Sequence, residues 1–312
     1  MRILLALFAV AGFACASQPP PEESAAKPPP KKRRPRPIGF GSKSAGKPEL
    51  EAAIAAAKRN DLETTITQCR AAIEKNPNLE QAYLLLGSAC SLNDDADCER
   101  QAYADGMAAL PTSVALHAEA GFLALQEGRN ADAVANYERA RGLTDGKNSD
   151  VLAHLAYAKG LGGDMKTALD LAKQASADDK CGRCAAIHGR LLLASKDVPG
   201  AITQLERAHR ITPDDLDAAS QLAKAYYLGG RVDDALSTYA KLVEATKDPS
   251  LTSEYAIVLM KAKRYKEAAT QLDALTQAFP KEKTLWERLY EAQKKAGDKK
   301  GARQTKKKLE AM

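Results

Sequence analysis

Apolar positions change their rhythm twice along the chain. From Ile3 to Ala14 they run without a break behind a single basic residue, Arg2. Twelve helical residues reach only about 18 Å, short of a bilayer core of roughly 30 Å, so the run predicts a secretory signal peptide over residues 1–15 rather than a membrane span. Residues 16–48, rich in Pro, Lys and Arg and poor in apolar side chains, cannot bury enough surface to offset the entropy of ordering, which predicts a disordered tether. From Glu49 to Met312 apolar residues recur at helical spacing between turn signals such as "QEGRN", "GLGGD", "LGGRV" and "KKAGD". That alternation predicts helical hairpins throughout.

Small residues give these hairpins a period. Alanines recur at Ala133, Ala168, Ala201, Ala235, Ala268 and Ala302, with spacings of 35, 33, 34, 33 and 34. A second series, Gly87, Gly121, Ala156, Gly189, Ala223 and Ala256, is spaced 34, 35, 33, 34 and 33. Prolines at Pro77, Pro111, Pro213 and Pro280 fall in the same phase. A period of this size marks stacked repeats, each a pair of helices that must approach closely and cannot bury its apolar face alone.

At these residues the chain resembles the tetratricopeptide repeat family. Gly121, Ala133, Tyr137 and Ala140 carry the resemblance in one repeat, Ala223, Tyr226, Ala235 and Tyr239 in another, and Trp286 in the last. The resemblance covers about Gly46 to Met312, with repeats starting near residues 46, 80, 114, 149, 182, 216, 249 and 283. It implies an all-α solenoid, a right-handed superhelix of about seven or eight hairpins with a polar, basic cap helix at the end. Thr65 and Glu99 stand where the family usually has alanine, so looser packing is expected in the first two repeats.

Composition is consistent with packed helices: 45% of residues are apolar and only 5% aromatic. At 312 residues the length would suggest two domains, but that prior fails for repeats. The net charge of +6 invites a nucleic-acid reading until it is located. Nine basic and two acidic residues precede Glu49, eleven basic and five acidic follow Pro280, and the body between carries 26 basic and 33 acidic. An acidic body argues against a surface that tracks phosphates. The run Lys31, Lys32, Arg33, Arg34 and Arg36 would matter for nucleic acid only in a cytosolic protein; behind a signal peptide it solvates the tether or attracts it to anionic surfaces.

Two processing schemes compete near the end of the apolar run. Ala14 and Ala16 offer the small residues that ordinary signal peptidase reads. Alternatively Gly12, Phe13, Ala14 and Cys15 resemble the lipobox of bacterial lipoproteins, although Gly12 and Phe13 depart from its usual residues. The resemblance implies lipidation at Cys15 and, with no aspartate following, an outer-membrane lipoprotein facing the periplasm; without lipidation the protein is periplasmic or secreted.

In such a compartment cysteines pair. Cys90 and Cys98 sit about the turn "SLNDDAD", near the end of one predicted helix and the start of its partner, which permits a bridge; Cys69 is an alternative partner for either. Cys181 and Cys184 form a CxxC that opens a helix, and a local disulfide is the expected reading. A redox or metal-binding protein acting through this pair is the alternative function. It lacks a thioredoxin-like context, Ala185 replaces the histidine of haem attachment, and zinc would require two more ligands, of which His188 could be one. The four histidines show no metal spacing, and neither a nucleophile elbow nor a phosphate loop is present, so no catalytic residue, metal or cofactor is expected.

In the family, positions 2, 5, 9, 12 and 13 of the first helix of each repeat line a groove. By resemblance this assigns Phe122, Tyr157, Arg183, Arg190, Lys224, Tyr227, Ile257 and Lys261 as a partner-binding surface, flanked by Leu125, Gln126, Leu161, Leu193, Leu228 and Met260. Apolar anchors alternating with cations suit an extended or helical acidic segment of a protein partner. The resemblance thus implies a non-enzymatic scaffold in a bacterial envelope, holding part of a secretion, pilus or motility machine.

Overall fold

A computed structural model describes residues 45–312. The expected signal peptide, Cys15 and nearly all of the tether lie outside them. The described residues form sixteen α-helices and no strand, arranged as eight consecutive pairs. The pairs are α1 (Lys47–Lys58) with α2 (Leu62–Lys75), α3 (Glu80–Leu92) with α4 (Ala96–Ala109), α5 (Val114–Gln126) with α6 (Asn130–Leu143), and α7 (Ser149–Leu161) with α8 (Met165–Ala175). They continue with α9 (Gly182–Ala194) and α10 (Val198–Ile211), α11 (Leu216–Leu228) and α12 (Val232–Thr246), α13 (Pro249–Lys261) and α14 (Tyr265–Ala278), and α15 (Lys283–Ala296) and α16 (Lys299–Glu310). The first helix of each pair starts within a residue of the expected repeat start.

Local chemistry sets these boundaries. Asp61, Asp95, Asp164, Asp197 and Asp298 each cap an even-numbered helix by accepting a backbone N–H, a contact worth about 1 kcal/mol apiece. The turn within each pair places one residue at positive φ: Asn60, Asp94, Gly128, Gly163, Lys196, Gly230, Lys263 and Gly297. The left-handed position recurs once per repeat, and glycine fills it in only half of them. Side chains at Lys196 and Lys263 therefore hold a conformation that glycine adopts without steric cost.

Within each pair the small residues set the separation. A Cβ added at Gly189 would stand 2.6 Å from Leu205 Cγ and 3.3 Å from the Ala201 carbonyl oxygen, and one at Gly121 would stand 2.9 Å from the ring of Tyr137. Bulkier residues would push α9 from α10 and α5 from α6. The expected loosening of the first two repeats is not seen. Thr65 is completely buried, its hydroxyl donating to the Asp61 carbonyl at 2.7 Å. Glu99 is only 8% exposed, and the ring of Tyr103 closes so tightly on Gly87 that an added Cβ would be 2.4 Å away. A buried hydroxyl satisfied by its own helix takes the place of alanine without opening a gap.

Neighbouring pairs stack through both helices, and odd-numbered helices also touch odd-numbered ones one repeat on: α1 with α3, α3 with α5, α5 with α7, α7 with α9, and α9 with α11. No comparable contact between even-numbered helices occurs among the described residues. The array therefore curves with the odd-numbered helices on its inner face. The approach is closest between α7 and α9, where Gly160 leaves room for Leu191. Polar contacts likewise reach one repeat along the chain: Ser113 with Glu80, Arg190 with Tyr157, and Ser220 with Glu254. No helix among the described residues is long and apolar enough to cross a membrane.

Candidate partner-binding groove

The inner face carries apolar side chains that the core does not use. Large hydrophobic residues exposed at the surface include Leu92 on α3, Phe122 on α5, Leu161 on α7, Leu216 and Leu228 on α11, and Ile257 on α13. These six lie on odd-numbered helices; Phe279 at the end of α14 and Met312 are exposed as well, and Leu216 lines a hollow with His209 of α10 and Leu242 of α12. Isolated exposed leucines need no explanation, but apolar side chains exposed on one odd-numbered helix after another, as Phe122, Leu161, Leu228 and Ile257 are, do.

At the middle of the row an aromatic cluster forms. Phe122, 44% exposed, meets His154 edge-on at 6.3 Å, and His154 stacks on the buried ring of Tyr137 at 5.6 Å. His154 Nδ1 lies 2.8 Å from the Asp150 carbonyl oxygen, so this nitrogen carries the proton in the neutral ring. Burial holds the imidazole below its ordinary pKa, opposed by the Asp150 carbonyl and reinforced by the charge of Arg183. His154 thus presents an uncharged ring to the groove. His154 shows no metal spacing in the sequence, and nothing in that spacing reveals that Phe122 and Tyr137 flank it.

Among the assigned cations two kinds emerge. Arg190 Nη2 donates to the Tyr157 hydroxyl at 3.1 Å, its guanidinium lies 4.8 Å from the centre of that ring, and Nη1 pairs with Asp217 at 2.8 Å. Arg183, well exposed, stands 3.8 Å from Asp150. Both arginines are engaged within the protein. Lys224 and Lys261 are exposed and have no ion pair among the described residues. Each shares the inner face with one of the exposed apolar side chains, Lys224 with Leu228 on α11 and Lys261 with Ile257 on α13. Tyr227 is half-buried and packs on the core beneath α11 and α13, so it is less available than the sequence assignment implies. Asp150 and Asp217 were missed. The signal was present: Asp150, Arg183 and Asp217 occupy position 2 of successive repeats with alternating charge.

The cysteines are grouped in two places. Cys90, buried at the end of α3, is disulfide-bonded to Cys98 at the start of α4, and the free thiol of Cys69 lies buried in the same cluster. Burial pushes the Cys69 thiol up to about 11, so at neutral pH it is a protonated packing group. Cys181 and Cys184 are disulfide-bonded to each other at the N-terminus of α9. His188, considered above as a zinc ligand, instead makes a 2.8 Å contact through Nδ1 with the hydroxyl of Ser176. The residue that does approach the CxxC is Asp150, from α7.

Residues 192–253 match the model of the tetratricopeptide repeat family. The described residues have the tetratricopeptide repeat fold. Solved structures with the same fold include a tetratricopeptide repeat protein from Parabacteroides merdae, 13% identical with a TM-score of 0.59, the match covering 79% of this chain and 98% of that one. PilW, described as a widely conserved type IV pilus biogenesis factor, is 14% identical with a TM-score of 0.56 over 64% of this chain and 92% of its own. The Cut9–Hcn1 hetero-tetramer of the APC/C is 14% identical with a TM-score of 0.65, over 77% of this chain and 48% of that one. No curated protein sequence matches the chain. The tetratricopeptide fold is generally a protein-interaction scaffold.

Proposed function

We propose that this repeat protein is a non-enzymatic scaffold of the bacterial envelope that holds a protein partner along the inner face of its helices. The observation that carries the reading is the row of exposed apolar side chains on odd-numbered helices, interrupted by Lys224 and Lys261, which have no ion pair among the described residues. Apolar anchors desolvate on binding and supply affinity, while the free ammonium groups select carboxylates and set the register of the bound segment. An extended or helical acidic segment fits that pattern.

Lipidation at Cys15, with a tether over residues 16–48, would hold the scaffold at the inner surface of the outer membrane, facing the periplasm. Assembly of a pilus, secretion or motility machine is the process proposed, in keeping with the fold shared with PilW. The test is affinity capture of the protein from its own envelope fraction, comparing the natural chain with Lys224→Glu combined with Leu228→Asp. Both positions are exposed, so the array should keep its helical content and melting temperature. Loss of a specifically captured protein supports the groove. Equal capture by both chains would place the binding surface elsewhere.

A further inference from the structure

Reduction of the Cys181–Cys184 bond would leave two sulfurs and a carboxylate facing one point. Asp150 Oδ1 lies 3.8 Å from Cys181 Sγ, and one ligand atom from each of Asp150, Cys181 and Cys184 falls within 4.8 Å of the other two. In a tetrahedral zinc site, with Zn–S of about 2.3 Å and Zn–O of about 2.1 Å, neighbouring ligand atoms stand roughly 3.6 to 3.8 Å apart. The carboxylate is already at that distance from one sulfur. We infer that the reduced CxxC and Asp150 form a binding site for a thiophilic divalent cation of the zinc class, closed when the disulfide forms.

Three features shape the site. Cys184 is completely buried in the core beneath α7 and α9, whereas Cys181 is only partly covered and Asp150 is exposed, so the ion would enter from the solvent side over an anchored inner ligand. Cys181 and Asp150 lie at the N-termini of α9 and α7, whose free N–H groups favour thiolate and carboxylate. Two thiolates and one carboxylate around a divalent cation leave one negative charge, and Arg183, 3.8 Å from Asp150, is placed to balance it. The fourth coordination position is left for water or for a donor from a bound partner.

The chemistry closes. A dithiol reductant, oxidised to its own disulfide, delivers two electrons and two protons and converts the Cys181–Cys184 bond into two thiols. Binding the cation then releases both thiol protons to solvent. The pair cannot bridge as a disulfide and ligate as thiolates at once, so oxidation and metal binding exclude each other. Because Arg183 lies between the two cysteines on the inner face, exchange of disulfide for metal alters the surroundings of a groove cation. The metal site itself does not depend on the partner-binding reading.

The experiment uses the full chain, reduced under nitrogen, freed of reductant and titrated with zinc against a chromophoric chelator. The chain with Cys181→Ser and Cys184→Ser serves to subtract zinc held by the other thiols. The expected result is one further zinc in the natural chain, absent after oxidation and weakened at least tenfold by Asp150→Asn. Cobalt in place of zinc should give thiolate charge-transfer absorption, reporting direct sulfur ligation even if a variant loses stability. Zinc binding by the oxidised chain, equal binding by the double-serine chain, or an Asp150→Asn chain that binds as tightly as the natural one would each overturn the assignment.

Discussion

Arg190 of α9 lies over the ring of Tyr157 of α7 and donates to its hydroxyl at 3.1 Å, while Asp217 of α11 pairs with the other side of the guanidinium. Three consecutive repeats meet at this side chain. Arg190 is therefore a fastener of the inner face before it is a contact for any partner. Arg190→Ala should lower stability by about 1–2 kcal/mol in urea denaturation, since it removes a partly buried charged hydrogen bond and a cation–π contact. Tyr157→Phe keeps the ring and should cost less than half as much. Equal costs would show that the stacking contributes nothing.

The close approach of helices can be tested at two glycines, Gly87 within a pair and Gly160 between neighbouring pairs. Gly87→Ala forces a Cβ against the Tyr103 ring, which is buried and cannot yield, and should destabilise by about 1–3 kcal/mol despite the better helix propensity of alanine. Gly160→Ala is crowded by the Cδ2 end of Leu191, a rotatable side-chain tip, and meets Ala168 Cβ at an ordinary 3.6 Å, so its net cost should be near zero. Thermal unfolding of the two variants checks the order.

The recurring left-handed turn predicts a gain. Lys196 and Lys263 occupy positive φ where four other repeats use glycine. Lys196→Gly and Lys263→Gly should each stabilise the array by about 0.5–1 kcal/mol, and the pair should be additive because the sites are two repeats apart. A fall in melting temperature would show that these side chains make compensating contacts.

Glu99 is a carboxylate where the core has threonine in the first repeat and alanine in the six that follow. Burial raises its pKa above the ordinary 4.5, opposed by a hydrogen bond from Ser91 and reinforced by Glu127 and Glu119. A raised pKa means that the folded state binds the proton more tightly, so the penalty is absent below about pH 4 and develops as pH climbs through the folded value. Glu99→Gln should therefore raise the melting temperature at pH 7 and have little effect near pH 3.5.

His154 titrates with the opposite sign. Its folded pKa lies below the ordinary 6.5, chiefly through burial, so the unfolded chain binds more protons in the window beneath that value and stability falls as the solution is acidified from pH 7 toward 5. His188 is shifted the same way by burial and by Lys173 and Arg207. Melting curves of His154→Gln and His188→Gln separate the two: each should flatten part of the dependence. A natural chain equally stable at both pH values would contradict the buried neutral rings.

Much of this architecture was legible in the sequence because one period governs it. Gly121, Ala133 and their equivalents mark helix contacts fixed by backbone distance, and such contacts leave small residues at fixed intervals. Less of the groove was legible. The resemblance assigned Lys224 and Ile257 to the groove by repeat position, but whether a cation is free or engaged depends on a side chain one repeat away, as Arg190 shows. The approach of Asp150 to Cys181 across 31 residues has the same origin: it requires the crossing of α7 and α9, which Gly160 and Leu191 set and which leaves no local pattern. The tolerance of Thr65 in the core was hidden too, since its hydroxyl bonds to its own helix.

Polar contacts between repeats, such as those joining Glu80 to Ser113 or Ser220 to Glu254, never need to span the length of the array. Chain closure over about thirty residues is a modest entropic step, so folding can start at any pair of repeats and spread to its neighbours. Unfolding can likewise begin at one end while the rest persists. In hydrogen exchange, amides of α15 and α16 should open well before those of α7 and α9, where the Arg190 fastener joins adjacent repeats. The molecule would then melt as a zipper rather than as a single body, keeping the middle of its inner face ordered longest.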